Sequence, residues 1–219
     1  MVLRSIWIVA ISGSRPNSAT TWSPAESRTC RERIRLALKD FSSSAEALGG
    51  RIELVSSVAA EADRIAIEIA ESMGLSIHII LPLPILEFAK DFRDQPQLWD
   101  WVLAAIAKGG GLIGQDDTDI AALRDFGERK TPSPDWLTTP KPGWTFRIAD
   151  GAQVRDACYY DSGTQMLDAA DALLVVENKI KADILGGTHD LLDQAQARGI
   201  AIARINAFDP EPIPINWSS

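Results

Sequence analysis

The sequence predicts a doubly wound α/β fold, and three observations predict it. Short apolar runs alternate with segments of helical spacing along most of the chain. Glycine or proline punctuates nearly every junction between them. The composition is that of an ordinary globular protein, with 46% hydrophobic and 24% charged residues over 219 positions. That length suits one α/β domain and is ample for a buried core.

Residues 5–12 (SIWIVAIS) form an apolar run closed by Gly13 and read as a first strand. With one Arg ahead of it and no small-residue cleavage site behind, this opening does not read as a secretory signal. Residues 17–26 are polar. Residues 31–41 carry Ile34, Leu36, Ala37, Leu38 and Phe41 at helical spacing, and Gly49-Gly50 ends the segment. Residues 51–57 (RIELVSS) read as a second strand. Residues 61–73 form an amphipathic helix with Ile65, Ile69 and Met73 on one stripe and Gly74 as its stop. Residues 76–81 (SIHIIL) are a third strand, cut off by Pro82 and Pro84. Residues 99–107 read as a short helix.

Periodicity fades between residues 109 and 151, where four prolines accompany Trp136 and Trp144. This stretch reads as a loop-rich insertion over the core of a single domain, since a structureless loop of such length is unusual inside one. Helical spacing returns over 160–170. A buried strand over 172–176 (ALLVV), a helix over 189–198 and a last strand over 200–205 complete the series. The tail at 209–214 holds three prolines and reads as extended. Strands separated by helices in this order call for a mostly parallel sheet covered on both faces. Ligands of such sheets lie outside the strand carboxyl ends, where strand order reverses.

Charge and cysteine count narrow the function. Twenty-two basic and 30 acidic residues give a net charge of −8, and the pI is near 4.8. Binding to polymeric nucleic acid needs dense Lys and Arg, so no nucleic-acid partner is expected. No apolar run approaches the ~18 residues of a membrane span, and no membrane association is expected. Two cysteines, Cys30 and Cys158, are too few for a disulfide framework or a zinc site, which places the protein in a reducing cytoplasm. No metal and no cofactor is expected.

Four loops leave strand carboxyl ends. In the first, Ser12, Gly13 and Ser14 permit close backbone approach to an anion, and Arg15 suits a bidentate phosphate contact; the same residues also suit a tight turn. In the second, Ser56 and Ser57 precede a helix that opens with Glu61, Asp63 and Arg64. Here Ser57 reads equally as a helix cap, and Asp63 with Arg64 as structural ion-pair partners. In the third, Pro82 and Pro84 fix the exit, and Phe88 and Phe92 read either as a core stripe or as a cover for a base. In the fourth, Gly186-Gly187-Thr188 runs into a helix and reads as an anion cradle or as a Gly turn with a Thr cap. Neither GxGxxG nor GxxxxGK[ST] occurs, which removes the main support for dehydrogenase and P-loop readings. His78 lies in an apolar strand and reads as a hydrogen-bonded core residue; His189 reads equally as a ligand contact or a surface residue. No Gly-x-Ser-x-Gly elbow occurs and neither Cys has a His near it in sequence, so a hydrolase triad has no support.

Five pieces in order carry a resemblance: VAISGSR (9–15), SSVAAEADRIAIEIAESMG (56–74), IILPLP with FAKDF (79–84, 88–92), YYDSGTQMLDAADALLVV (159–176) and GGTHDLLDQAQARGIAIARI (186–205). With them the sequence resembles the SLOG superfamily, a Rossmann-like group joining the DNA-processing protein A and Lonely Guy lineages. It looks most similar to bacterial SLOG domains near those of TRPM channels and anti-phage defence proteins. The resemblance implies a nucleotide or nucleotide-sugar site that senses signals such as ADP-ribose derivatives. A homodimer is expected, which either acts alone, pairs with a separate effector or is part of something longer. Matched residue by residue, it places Ser12, Gly13, Ser14, Arg15, Ser56, Ser57, Asp63, Arg64, Pro82, Gly186, Gly187 and Thr188 at the ligand. It adds Tyr160, whose ring either stacks on a base or belongs to the core.

Two departures bear on the chemistry. Lonely Guy-type phosphoribohydrolases carry PGGxGTxxE, whose Glu is catalytic. Here Leu185 precedes a loop shorter by two residues, and Leu191 stands three positions after Thr188. Asp190, one residue early and so turned by ~100° on a helix, and Glu61 are the remaining candidates for a general acid/base in the alternative reading, cleavage of an N-glycosidic bond. Glu177 and Asn178 replace a more usual Trp-Asp pair after the fourth strand, which leaves ribose contacts there open.

Overall fold

The computed structural model describes residues 5–13, 22–59, 61–83, 88–92, 95–108, 151–177 and 187–206. They form β1 (Ile6–Gly13), α1 (Pro24–Ala47), β2 (Arg51–Ser56), α2 (Glu61–Ser72), β3 (Ser76–Ile79), a 3-10 turn (Ala89–Phe92), α3 (Pro96–Lys108), α4 (Gly151–Ala169), β4 (Ala172–Glu177), α5 (Thr188–Ala197) and β5 (Ala201–Asn206). The sheet order is β3-β2-β1-β4-β5 and every pairing is parallel. The insertion expected over 109–151 and the extended tail fall outside the described residues, except Gly151, where α4 begins.

Helices cover both sheet faces. On one, α1 and α2 bury Ile34, Leu38, Ile65 and Ile69 against Val9, Ile11, Leu54 and Leu174. On the other, α4 and α5 bury Met166, Leu167, Leu191 and Leu192 against Ala10, Val55, Leu173 and Val175. Burying each such aliphatic side chain contributes roughly 1.5–3 kcal/mol. β4 is apolar from Ala172 to Val176 because both of its faces are covered.

α1 starts at Pro24, seven residues ahead of the helix read from apolar spacing. Its start is fixed by a reciprocal cap, in which Glu26 N–H donates to Ser23 Oγ at 3.2 Å and Ser23 N–H donates to Glu26 Oε2 at 2.7 Å. Pro24 takes the first turn, where its missing N–H costs nothing. Gly74 and Gly199 end α2 and α5 as expected, with φ of 72° and 68°.

Candidate functional site

Strand order reverses between β1 and β4, which places the crevice at their carboxyl ends. Across that end the register aligns Ser12 with Val175 and Val175 with Arg204, so the three form one row over β1, β4 and β5. Gly13 lies opposite Val176, and Glu177 follows as the last residue of β4. A β-carbon on Gly13 would lie 2.3 Å from Ala62 Cβ, so only glycine lets the first turn of α2 sit against the end of β1. The sequence-predicted Ser12 and Gly13 are thereby brought beside the start of α2.

Helix α5 packs on β1, β4 and β5 over the face that carries Ser12. Its N-cap is Gly187, in extended conformation, and no side-chain cap is found among the described residues. The first-turn N–H groups carry the positive end of the helix dipole. Thr188 is 7% exposed and Ser12 8% exposed, which places both residues near the crevice with most of their surface covered.

The loop after β2 is built differently. Ser56 and Asp63, 0% and 1% exposed, are bonded to each other at 2.7 Å, and Ser56 Oγ also accepts Val58 N–H at 3.1 Å. Ser57 is half-buried, and since α2 begins at Glu61 it does not occupy the cap position. Arg64 bonds both oxygens of Glu61 and reaches Glu68 Oε1 at 2.7 Å, while Arg31 of α1 pairs with Glu68 as well. The hydrogen bond to Glu61 holds the Arg64 pKa above its ordinary value.

The remaining predicted positions lie at the sheet edge and on α4 and α5. Pro82 is buried beyond the end of β3, two strands from β1 at the sheet edge. Phe88 and Phe92 are buried and meet edge to face at 5.0 Å, with Trp99 and Tyr159 packed on Phe88. Tyr160 stands next to that cluster on α4, half-buried. His78 bonds Glu53 Oε2 at 2.6 Å, in keeping with a hydrogen-bonded strand residue. His189 is half-buried in the first turn of α5. Asp190 accepts a 3.4 Å bond from Gln194, and Leu191 is buried against Gly163. Ser14, Arg15 and Gly186 lie outside the described residues.

One pair at the crevice escaped the sequence reading. Arg204 Nε and Nη2 bond the two carboxylate oxygens of Glu177. A carboxylate closing an otherwise apolar strand, with an Arg on the outward beat of the next strand (AIARIN), was the available signal.

An all-parallel five-stranded sheet wound on both faces defines a Rossmann-like α/β protein. Among solved structures the chain is similar to the X-ray structure of DNA processing protein A (DprA) from Streptococcus pneumoniae, with 12% sequence identity and a TM-score of 0.47. The match covers 91% of this chain and 50% of that one, so the chain spans about half the length of that protein. No family model and no curated protein matches the sequence.

Proposed function

We propose that the chain is a recognition module for a small phosphorylated nucleotide or nucleotide sugar of the ADP-ribose type. One observation carries the reading: at the point of strand reversal the α5 N-terminus, N-capped by Gly187, has no side-chain cap among the described residues, and the mostly covered hydroxyl residues Ser12 and Thr188 stand at the same end of the sheet. A phosphate there would accept the first-turn N–H groups and the Thr188 hydroxyl together, and complete a buried polar cluster. Of the residues expected at the ligand, Ser12, Gly13, Gly187 and Thr188 suit direct contact. Ser56 and Asp63 suit holding the α2 turn in place beside Gly13.

Binding without hydrolysis is the favoured mode. Leu191 fills a core position and cannot move a proton, and Glu61 is held by Arg64. The net charge of −8 disfavours duplex DNA as the ligand. Calorimetry with nucleoside mono- and diphosphates, ADP-ribose and a short DNA duplex tests the reading. Expected is heat from at least one phosphorylated nucleotide, lost in Thr188→Glu with the melting temperature retained. Salt-sensitive DNA binding with no nucleotide heat would replace the reading with a nucleic-acid role.

A further inference from the structure

The link between β2 and α2 holds a strained residue beside the crevice. Val58 has a φ of 51°, in the left-handed region where a β-branched side chain crowds its own backbone. Ser56 Oγ accepts Val58 N–H at 3.1 Å and donates to Asp63 Oδ1 at 2.7 Å, and all three residues are buried. A strained backbone persists only where its surroundings over-determine it, and such sites recur in switch regions. The restraints here are one hydroxyl, one carboxylate and the core around the Val58 side chain.

The strain is connected to the end of β1. Asp63 lies in the first turn of α2 beside Ala62, and Ala62 fits so closely against Gly13 that a β-carbon there would lie 2.3 Å from it. The later turns of α2 are pinned separately, by burial of Ile69 and by the pairing of Glu68 with Arg31 of α1. Relaxation of Val58 to a negative φ would bring the chain into α2 from another direction. With the later turns as pivot, the displacement would fall on Glu61, Ala62 and Asp63.

We propose that the β2–α2 link is a strained catch that controls access to the crevice. Closed, it seats Ala62 on Gly13; released, it lets Val58 relax and lifts the first turn of α2 from the end of β1. The inference goes beyond the nucleotide reading and holds whatever ligand the crevice takes.

Hydrogen exchange of the intact chain, resolved amide by amide without any ligand, tests the catch. The reporters are the amides of Val58, Ile65 and Ala66, of which the last two bond the carbonyls of Glu61 and Ala62 in the α-helical pattern. Expected is one shared opening of the three, at least about tenfold more frequent than that of Ile11 and Leu174 in the central strands and insensitive to low urea. Val58→Gly and Val58→Ala both remove the buried branches, but only alanine keeps the left-handed penalty. The three amides should therefore open about fivefold more often in Val58→Ala than in Val58→Gly. If either variant fails to fold, the urea dependence of the wild-type amides decides alone. Exchange of the three only together with the central strands overturns the catch, as does a Val58 amide that opens without Ile65 and Ala66. Equal opening in the two variants would mean that residue 58 does not relax on release, and overturns it as well.

Discussion

Ser56 Oγ donates a 2.7 Å hydrogen bond to Asp63 Oδ1 and so closes the β2–α2 turn from inside the protein. The same oxygen accepts Val58 N–H, and Val58 has a φ of 51°, the left-handed region that a β-branched residue rarely enters. Such a backbone costs roughly 1–3 kcal/mol and persists only where its surroundings over-determine it. Val58 is also 1% exposed, so burial and the Ser56 bridge act together to hold it. Beside this turn, Ala62 meets Gly13 at the end of β1. The lock therefore sets where the first turn of α2 stands relative to the crevice.

Ser56→Ala removes both hydrogen bonds in the buried turn and is expected to lower stability by about 1–3 kcal/mol. Asp63→Asn keeps an acceptor for the Ser56 hydroxyl and should cost less. Urea unfolding midpoints at neutral pH check the pair. An unchanged midpoint in Ser56→Ala would show that Val58 is held by packing alone.

Gly13→Ala and Gly163→Ala add the same methyl group to very different surroundings. At Gly13 the new carbon meets Ala62 Cβ at 2.3 Å, a backbone-proximal atom of a packed helix, and α2 must shift. Overpacking of this kind costs roughly 1–3 kcal/mol. At Gly163 it meets Cδ1, Cδ2 and Cγ of the buried Leu191 at 3.0–3.1 Å, so that side chain must give by a few tenths of an ångström, while alanine within a helix recovers about 0.5–1 kcal/mol. Gly163→Ala is expected to cost less than Gly13→Ala, because the contact is looser by about 0.7 Å and the helix propensity gain offsets part of it. Adding Ala62→Gly to Gly13→Ala removes the clashing methyl, so the double variant should be more stable than Gly13→Ala alone. A strictly additive double-mutant cycle would refute the contact.

Acid stability follows from Glu53, which is 8% exposed. The hydrogen bond from His78, opposed by burial and reinforced by Arg51, holds its carboxyl below the ordinary 4.5. A carboxyl whose folded pKa is depressed contributes stability that is present above the unfolded value and lost as pH falls through the folded one. Wild-type stability should therefore drop more steeply than that of Glu53→Gln below about pH 4.5, with parallel curves near neutrality. Denaturant melts at a series of pH values make the comparison. Identical acid limbs would remove Glu53 from the account.

How far the sequence reveals this molecule differs by element. The strands were legible because both faces of the sheet are covered, so runs such as ALLVV have no solvent beat to disguise them. The α2 and α5 stops were legible because Gly74 and Gly199 take a backbone conformation that side chains avoid. The α1 start was missed when apolar spacing was followed in place of the cap, although Ser23 and Glu26 spell a capping box. Site residues were harder. A hydroxyl at a strand end reads alike whether it stands at the strand-order reversal, as at Ser12, or locks a turn, as at Ser56. The difference depends on Asp63, seven residues on, and it appears only once α2 folds back. The Glu177–Arg204 pair is a cross-strand contact over 27 residues, and neither residue announces the other in sequence.

Hydrolysis of an N-glycosidic bond would need a general acid within about 2.6–3.2 Å of the atom it protonates, or one water away. The position that would supply it holds Leu191, 4% exposed and pressed against Gly163, so the side chain there is committed to the α4–α5 contact. Asp190 points along a different helical direction and takes part in a chain in which Gln194 donates to it and Thr164 donates to Gln194. Glu61 is bonded at both oxygens by Arg64. Expected, therefore, is no release of free base above a no-protein blank when the chain is incubated with nucleoside monophosphates and the mixture is separated by chromatography. Turnover above roughly 1 s⁻¹, the lower end of common enzyme rates, that disappears in Asp190→Asn would make the chain a hydrolase and assign the acid to Asp190. Turnover that survives Asp190→Asn and disappears in Glu61→Gln would move the acid to the start of α2, beside Gly13.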